Sequence, residues 1–354
     1  MTRPHRLLVL GLLLLGLPLA SAAVMAPPQT PEAPTPAPDP TPFPTDLTEG
    51  PYEVGIAEEI RFSREGRDMP LPLKVRYPIP ADDETGPFPL VVLSHGMGGY
   101  TDAFEHLSRH LASHGYVVIH PGHTDSIRLR REAGESAESL RNTFNRGAAN
   151  TVDLRSRIND CIWIVEHLGE IEMQLERPGL IDREHRAMAG HSAGAMTTQA
   201  LAGLKFQTPR GRFSRSMADG SMFDAYVVIS GQGTTYRSLT ETSWTDMTKP
   251  MLVFSGTEDG GGRVSSETPE SRRHPYEYAP DGDKYLIHIE GATHASYQGG
   301  DAPNADQQRI EALTSHATLA FLEAYLRNHG SAKAWLANSD AKKFLGVTAE
   351  YHSK

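Results

Sequence analysis

Cysteine is nearly missing from this chain: its 354 residues contain one, Cys161. A single thiol excludes an internal disulfide framework and a zinc site built on thiolates. Positive charge is also scarce, with 34 Lys and Arg against 44 Asp and Glu for a net charge of −10. That balance repels phosphate backbones and anionic lipid surfaces, so nucleic acid is not an expected partner. Long apolar runs are absent too, since the longest, over residues 7–20, falls short of the roughly 20 residues a helix needs to cross a bilayer. No internal repeat is visible. Apolar residues nevertheless make up 38% of the chain, enough for a sizeable core.

What is present begins at the N-terminus, where Arg3, His5 and Arg6 precede the apolar run and the small residues Ala20, Ser21 and Ala22 close it. This is the layout of a cleavable leader. Residues 1–22 are therefore read as a signal peptide, which predicts a secreted or periplasmic protein with no stable membrane insertion once the leader is gone. Its removal takes Arg3 and Arg6 with it, so the mature charge becomes −12. Residues 23–50 follow as a proline-rich linker, with nine prolines between positions 27 and 44 favouring an extended tether over any packed element. A folded domain is expected over 51–330 and a helical extension over 331–354.

Within the domain, short β-like runs alternate with amphipathic stretches. Strands are expected at 59–63, 71–77, 90–94, 117–120, 186–190, 225–230, 251–255 and 285–289, most of the later ones separated by helical segments. That rhythm predicts an α/β fold with a mostly parallel central sheet of about eight strands and helices on both faces. A helix over 150–168 sets Leu154, Ile158, Cys161, Ile162, Val165 and Leu168 in one apolar stripe. Cys161 is thus expected in the core, where no neighbour would stabilise a thiolate.

The chemistry concentrates at Gly190-His191-Ser192-Ala193-Gly194, which follows a strand-like segment and opens a helix-like one. A serine hydroxyl becomes a useful nucleophile when a tight strand-to-helix turn holds it out, with glycines relieving crowding and a helix N-terminus favouring negative charge. Two partners appear in the order this turn requires. Asp259 follows the strand at 251–255, and His294 follows the strand at 285–289. Both lie in loops at carboxyl ends of strands, where an open α/β sheet gathers its site. Ser192, Asp259 and His294 are accordingly the candidate catalytic residues, with Glu258 the nearest competitor as the acid. An oxyanion would be received by the backbone N–H groups of Met97 and Ala193, because Ser94-His95-Gly96-Met97-Gly98-Gly99 follows the strand at 90–94 with glycines that let amides approach a substrate. His95, Gly96, His120 and His191 are read as substrate-pocket residues.

Four segments carry a resemblance to a known group: the run from Val91 through Gly99, Leu111-Ala112-Ser113-His114-Gly115-Tyr116-Val117-Val118, the serine turn, and residues 282–294 from Gly282-Asp283-Lys284 to Thr293-His294. Over about 52–328 the chain resembles the α/β-hydrolases, and within them the platelet-activating-factor acetylhydrolase and predicted dienelactone hydrolase group. The resemblance implies an α/β-hydrolase fold and a serine carboxylic-ester hydrolase that uses no cofactor, with Ser192, Asp259 and His294 in the triad positions. Ser192 stands where dienelactone hydrolases carry cysteine, so the implied nucleophile is an oxygen.

Three further features invite other readings. His106, His110 and His114 recur every four residues on one helix, which could present metal ligands, but their angle from Phe104, Leu107 and Leu111 predicts a solvated face. His120, His123 and Asp125 cluster after a strand on the site side, either as pocket wall and its support or as a metal set; the former is expected, and no metal site is assigned. The polar stretch 207–224 reads as a surface loop, or as a cover for the pocket. Together these features, with no long apolar segment that could serve as an interfacial lid, predict an exported serine esterase that cleaves short-acyl esters, small-molecule or polymeric, with protein partners unspecified. A peptidase on the same fold and a catalytically silent binding module are the alternatives.

Overall fold

A computed structural model describes residues 49–80, 86–145, 152–208, 216–236, 238–262, 265–299, 304–337 and 349–354. The segment read as a leader, the linker up to residue 48 and residues 209–215 of the polar stretch lie outside the described residues.

The apolar runs pair into one sheet. Its strands are β1 (Glu53–Phe62), β2 (Leu71–Ile79), β3 (Phe88–Ser94), β4 (Val117–Pro121), β5 (Ile181–His191), β6 (Ala225–Ile229), β7 (Met251–Glu258), β8 (Lys284–Thr293) and β9 (Ala349–Ser353). They lie in the order β1-β2-β4-β3-β5-β6-β7-β8-β9. Strands β3 to β8 run parallel to one another, while β1, β2 and β9 are antiparallel additions at the two edges. The central strands are buried on both faces, which is why they read as continuous Val, Ile and Leu runs rather than as alternation.

Side-chain alternation splits the core in two. On one face Val91, Leu93, Val227 and Phe254 pack beneath the helices α1 (Glu105–Ser113), α8 (Ala305–Tyr325) and α9 (Gly330–Ala337). On the other, Leu90, Val92, Met188 and Val253 meet α4 (Leu154–Glu166), α5 (Leu168–Gln174) and α6 (Ala193–Leu201). Three further α-helices complete the described set: α2 (Ile127–Glu132), α3 (Ala137–Asn145) and α7 (His274–Glu277).

The nine strands bear out a mostly parallel sheet of about eight. Three other expectations change. Of the described residues in the C-terminal extension, those within Gly330–Ala337 are helical, but Ala349–Ser353 forms the strand β9. The sequence of β9, Ala-Glu-Tyr-His-Ser, buries one residue, Tyr351; the rest of its stability comes from hydrogen bonds to the edge of β8, which no apolar pattern announces. The helix expected over 150–168 starts at Leu154, where the Asp153 side chain accepts the Ser156 N–H at 3.0 Å, and stops at Glu166. Cys161 does lie in the core, and burial pushes its thiol pKa up.

The histidine face of α1 is the third correction. His106 and His110 are half-buried against α8 rather than solvated, and burial pushes their pKa values down to about 4 and about 3, His110 being lowered further by His114 and His316. The angular argument holds for α1 alone. It fails in the folded chain because α8 covers that flank as well as the apolar stripe. Among the described residues no group of three or more His, Cys, Asp and Glu side chains could hold a metal ion, and no helix is long and apolar enough to cross a membrane.

Candidate active site

Strand β5 delivers Ser192 to the carboxyl edge of the sheet in a backbone conformation that L-residues rarely adopt, with φ 55° and ψ −113°. The turn closes only because its flanking residues lack side chains: a Cβ on Gly190 would lie 2.3 Å from the Gly194 carbonyl oxygen, and one on Gly194 would lie 2.0 Å from that of Ser94. The Ser192 N–H donates to the Ile229 carbonyl at 3.1 Å, and its own carbonyl accepts from Met196 N–H and from Gln232 Nε2, each at 3.0 Å. Strain at Ser192 is thus held by bonds from β6, α6 and the loop after β6.

The two partners meet that serine. His294 Nε2 lies 2.9 Å from Ser192 Oγ, and His294 Nδ1 lies 2.8 Å from Asp259 Oδ1. Asp259 is completely buried, and Ser230 Oγ donates to its other oxygen at 2.5 Å. Burial alone would push the Asp259 carboxyl up, but the His294 hydrogen bond, the nearby Arg272 guanidinium and the Ser230 hydroxyl outweigh it and hold the group below the ordinary carboxylate range. With the carboxylate ionised, Nδ1–H of His294 donates to it, which leaves Nε2 as the acceptor facing the serine hydroxyl. Glu258, the competing acid, is exposed and does not border the pocket over Ser192 and His294.

Arg272, Ser230 and Gln232 carry no sequence signal that singles them out. Arg272 is buried, donates from Nη1 to the carbonyls of Ser230 and Gly231 at 2.9 and 3.0 Å, and sets Nε 3.4 Å from Asp259 Oδ1. Ser230 adopts a left-handed φ of 51°, which turns its hydroxyl onto the carboxylate. A serine ending a strand and an arginine in a polar loop are both ordinary patterns, so only the folded arrangement reveals them.

A pocket enclosing about 610 Å³, part of it open to solvent, lies over Ser192 and His294. Met97, Ala193, Met196, Val152, Leu154 and Tyr236 give it an apolar wall, with Gln232, Ser265 and Arg272 as polar points. Both proposed oxyanion donors, Met97 and Ala193, border this pocket beside the serine, and Ala193 opens α6, so its N–H has no acceptor within the helix.

His95, Gly96, His120 and His191 do not line it. All four are buried, close to the site but behind it. His95 Nδ1 donates to the Gly96 carbonyl at 2.6 Å, and His191 Nε2 donates to the His294 carbonyl at 2.9 Å. Their place beside the motif residues suggests the wall; on a strand or tight turn, however, the neighbour of an outward residue points inward. Likewise, no described residue of 207–224 borders the pocket; Phe223 of that stretch is fully buried in the core instead. His123 and Asp125 also lie behind the site: His123 bridges Ser94 Oγ and Asp160 Oδ2, each at 2.9 Å, and Asp125 pairs with Arg157.

These buried imidazoles predict how stability responds to acid. Burial pushes His95 down to about 4 and His191 down to about 3, against roughly 6.5 in an unfolded chain. Between those values the unfolded state binds protons that the folded state refuses. The contribution is therefore complete above about pH 6.5 and is lost as pH falls towards 4, each group costing up to about 1.4 kcal/mol per pH unit across that window. Urea unfolding at pH 7, 5.5 and 4.5 should show stability dropping at each step; a flat response would show that these rings are protonated in the fold.

The parallel sheet with its strand-to-helix serine defines an α/β fold of the hydrolase type. The family model for Chlorophyllase matches residues 47–217, a stretch that takes in the loop at 94–99 and Ser192 but ends before Asp259 and His294. Over those residues the chain is similar to the α/β-hydrolase-type esterases. No curated protein matches the chain.

Proposed function

We propose that the protein is an exported serine hydrolase of carboxylic esters that works through an acyl-enzyme. The observation that carries this reading is the continuous relay from buried Asp259 through His294 to Ser192 Oγ, with spacings of 2.8 and 2.9 Å, opening into an apolar pocket. His294 Nε2 takes the hydroxyl proton as Ser192 Oγ bonds to the substrate carbonyl carbon. The oxygen of that carbonyl becomes an oxyanion and accepts hydrogen bonds from the N–H groups of Met97 and Ala193. Collapse expels the alcohol, protonated by His294, and a water molecule then repeats the sequence to release the acid. The residues that act are all supplied by the chain, and no cofactor enters these steps.

The substrate we infer is an ester of a short acyl group, two to four carbons long. Met97, Leu154 and Met196 line the pocket that also holds Ser192, and we take them as the wall against which a short acyl chain packs. Each methylene that fits adds roughly 0.8 kcal/mol of burial, and each that does not adds nothing. A panel of nitrophenyl esters should therefore give higher kcat/KM for two- to four-carbon chains than for chains of about ten or more, with no jump when the substrate forms micelles. Steady improvement with chain length would contradict this. The Chlorophyllase match favours a second reading, chlorophyll as the ester, and including it in the panel decides between the two. Nitroanilide analogues should be poor substrates; ready cleavage of them would favour a peptidase.

Export rests on the charged start, apolar run and small-residue triplet of residues 1–22. Intact mass of the protein recovered from the periplasm or medium should place its N-terminus at or near Ala23. A mature form that keeps residues 1–22 would rule this out.

A further inference from the structure

The pocket-side loop that carries Met97 is fastened from behind by a buried ion pair. Arg157, on α4, is fully buried, and its Nε and Nη2 donate to Asp125 Oδ1 and Oδ2 at 2.9 and 2.8 Å. The same guanidinium donates from Nη1 to the His95 carbonyl at 2.7 Å and from Nη2 to the Gly96 carbonyl at 3.2 Å. Asp125 Oδ2 in turn accepts the Gly98 N–H at 3.2 Å. The pair therefore grips the loop on both sides of Met97 and leaves the N–H of Met97 itself outside its grasp.

Peptide geometry turns this grip into an aim. In a trans peptide the C=O of one residue and the N–H of the next point in opposite directions. The Gly96 carbonyl accepts from Arg157 Nη2, from His95 Nδ1 at 2.6 Å and from Gly99 N–H at 3.2 Å, all on the interior side. The N–H of Met97, in the same peptide unit, must then face the other way, towards the pocket that Met97 borders with Ser192.

We propose that Arg157, held by Asp125, is a positioning residue that orients the Met97 N–H to receive the oxyanion. The proposal rests on the ester-hydrolase reading above. Arg157 is far better suited than lysine to this task, because a planar fork reaches two carbonyls and a bidentate carboxylate at once, whereas an ammonium is a single point of attachment. An oxyanion donor acts only as charge develops, so misaiming it lowers kcat and leaves ground-state binding nearly untouched.

The test compares the wild-type full chain with Arg157→Lys and Asp125→Asn, all normalised to active sites counted by burst titration. Per titrated site, Arg157→Lys should lower kcat for a nitrophenyl acetate on the order of 10- to 100-fold, with KM within about threefold, since complete loss of one such donor costs about 10²- to 10³-fold. Binding of a trifluoromethyl ketone, which forms an oxyanion on the enzyme, should weaken by the same factor as kcat/KM. Asp125→Asn should show the same pattern at smaller size, and it decides the matter if the lysine variant does not fold. A fall in titratable sites with kcat per site unchanged in both variants would make the pair purely structural and overturn the proposal. Absence of ester turnover or a burst in the wild type would instead overturn the ester-hydrolase reading itself, and the positioning role with it.

Discussion

Replacing Ser192 with alanine is expected to reduce ester turnover by on the order of 10⁴- to 10⁶-fold while the fold survives. The size follows from the bond that is lost: without Oγ no acyl-enzyme forms, and only pocket binding and the two backbone donors remain to assist direct attack by water. The fold should survive because the strain at Ser192 is carried by its backbone and by the bonds from Ile229, Met196 and Gln232, none of which involves the hydroxyl. Alanine also retains the Cβ already accommodated beside Gly96, so no new contact is forced. Circular dichroism and urea unfolding should match the wild type while turnover vanishes. Residual activity within tenfold of wild type would mean that another group attacks the ester.

Asp259→Asn should be the second largest loss, on the order of 10⁴-fold in kcat. The carboxamide introduced there can present an N–H to His294 in place of an acceptor, favouring the tautomer whose Nε2 carries the proton and therefore cannot take one from Ser192. The native carboxylate is fully buried and receives bonds from His294 and Ser230, with Arg272 beside it, so removing its charge also leaves the Arg272 guanidinium short of its counter-ion. Some loss of stability should accompany the loss of rate, and turnover must be expressed per folded molecule. Glu258→Gln, one residue away, should change turnover less than about threefold because that side chain is exposed and outside the relay. If Glu258→Gln proved the more damaging of the two, the assignment of the acid would be wrong.

The contrast between Asp259 and Glu258 also shows what the sequence can reveal. Strands β3 to β8 stand out as apolar runs because parallel strands are covered on both faces, and Ser192, Asp259 and His294 each follow one of them at the carboxyl edge. Chain order and strand position are enough to bring those three together. The edge strand β9 is hidden because backbone pairing with β8, rather than a buried face, makes it a strand. Similarly, the periodicity that sends His106 and His110 to solvent describes one helix, whereas their burial depends on α8, nearly two hundred residues further along.

Support for the site is the least legible part. Ser230 is a strand-ending serine, Arg272 an arginine in a polar segment, and Arg157 a charged residue within an otherwise ordinary amphipathic helix. Each acts through backbone carbonyls or a buried carboxylate that only the folded chain supplies. The misassigned wall residues teach the same lesson: His95 and His191 touch the machinery through backbone atoms from behind, so proximity in sequence to Gly96 and Ser192 does not bring their side chains into the pocket.

The central claim, that Ser192 is the covalent nucleophile, is tested most directly by intact-mass and peptide-mass measurement after exposure to a fluorophosphonate. The expected result is one adduct per folded chain, located on the peptide containing Ser192, formed in step with loss of ester turnover and absent from Ser192→Ala. An adduct on any other residue, or full turnover by a chain that takes up no label, would contradict it.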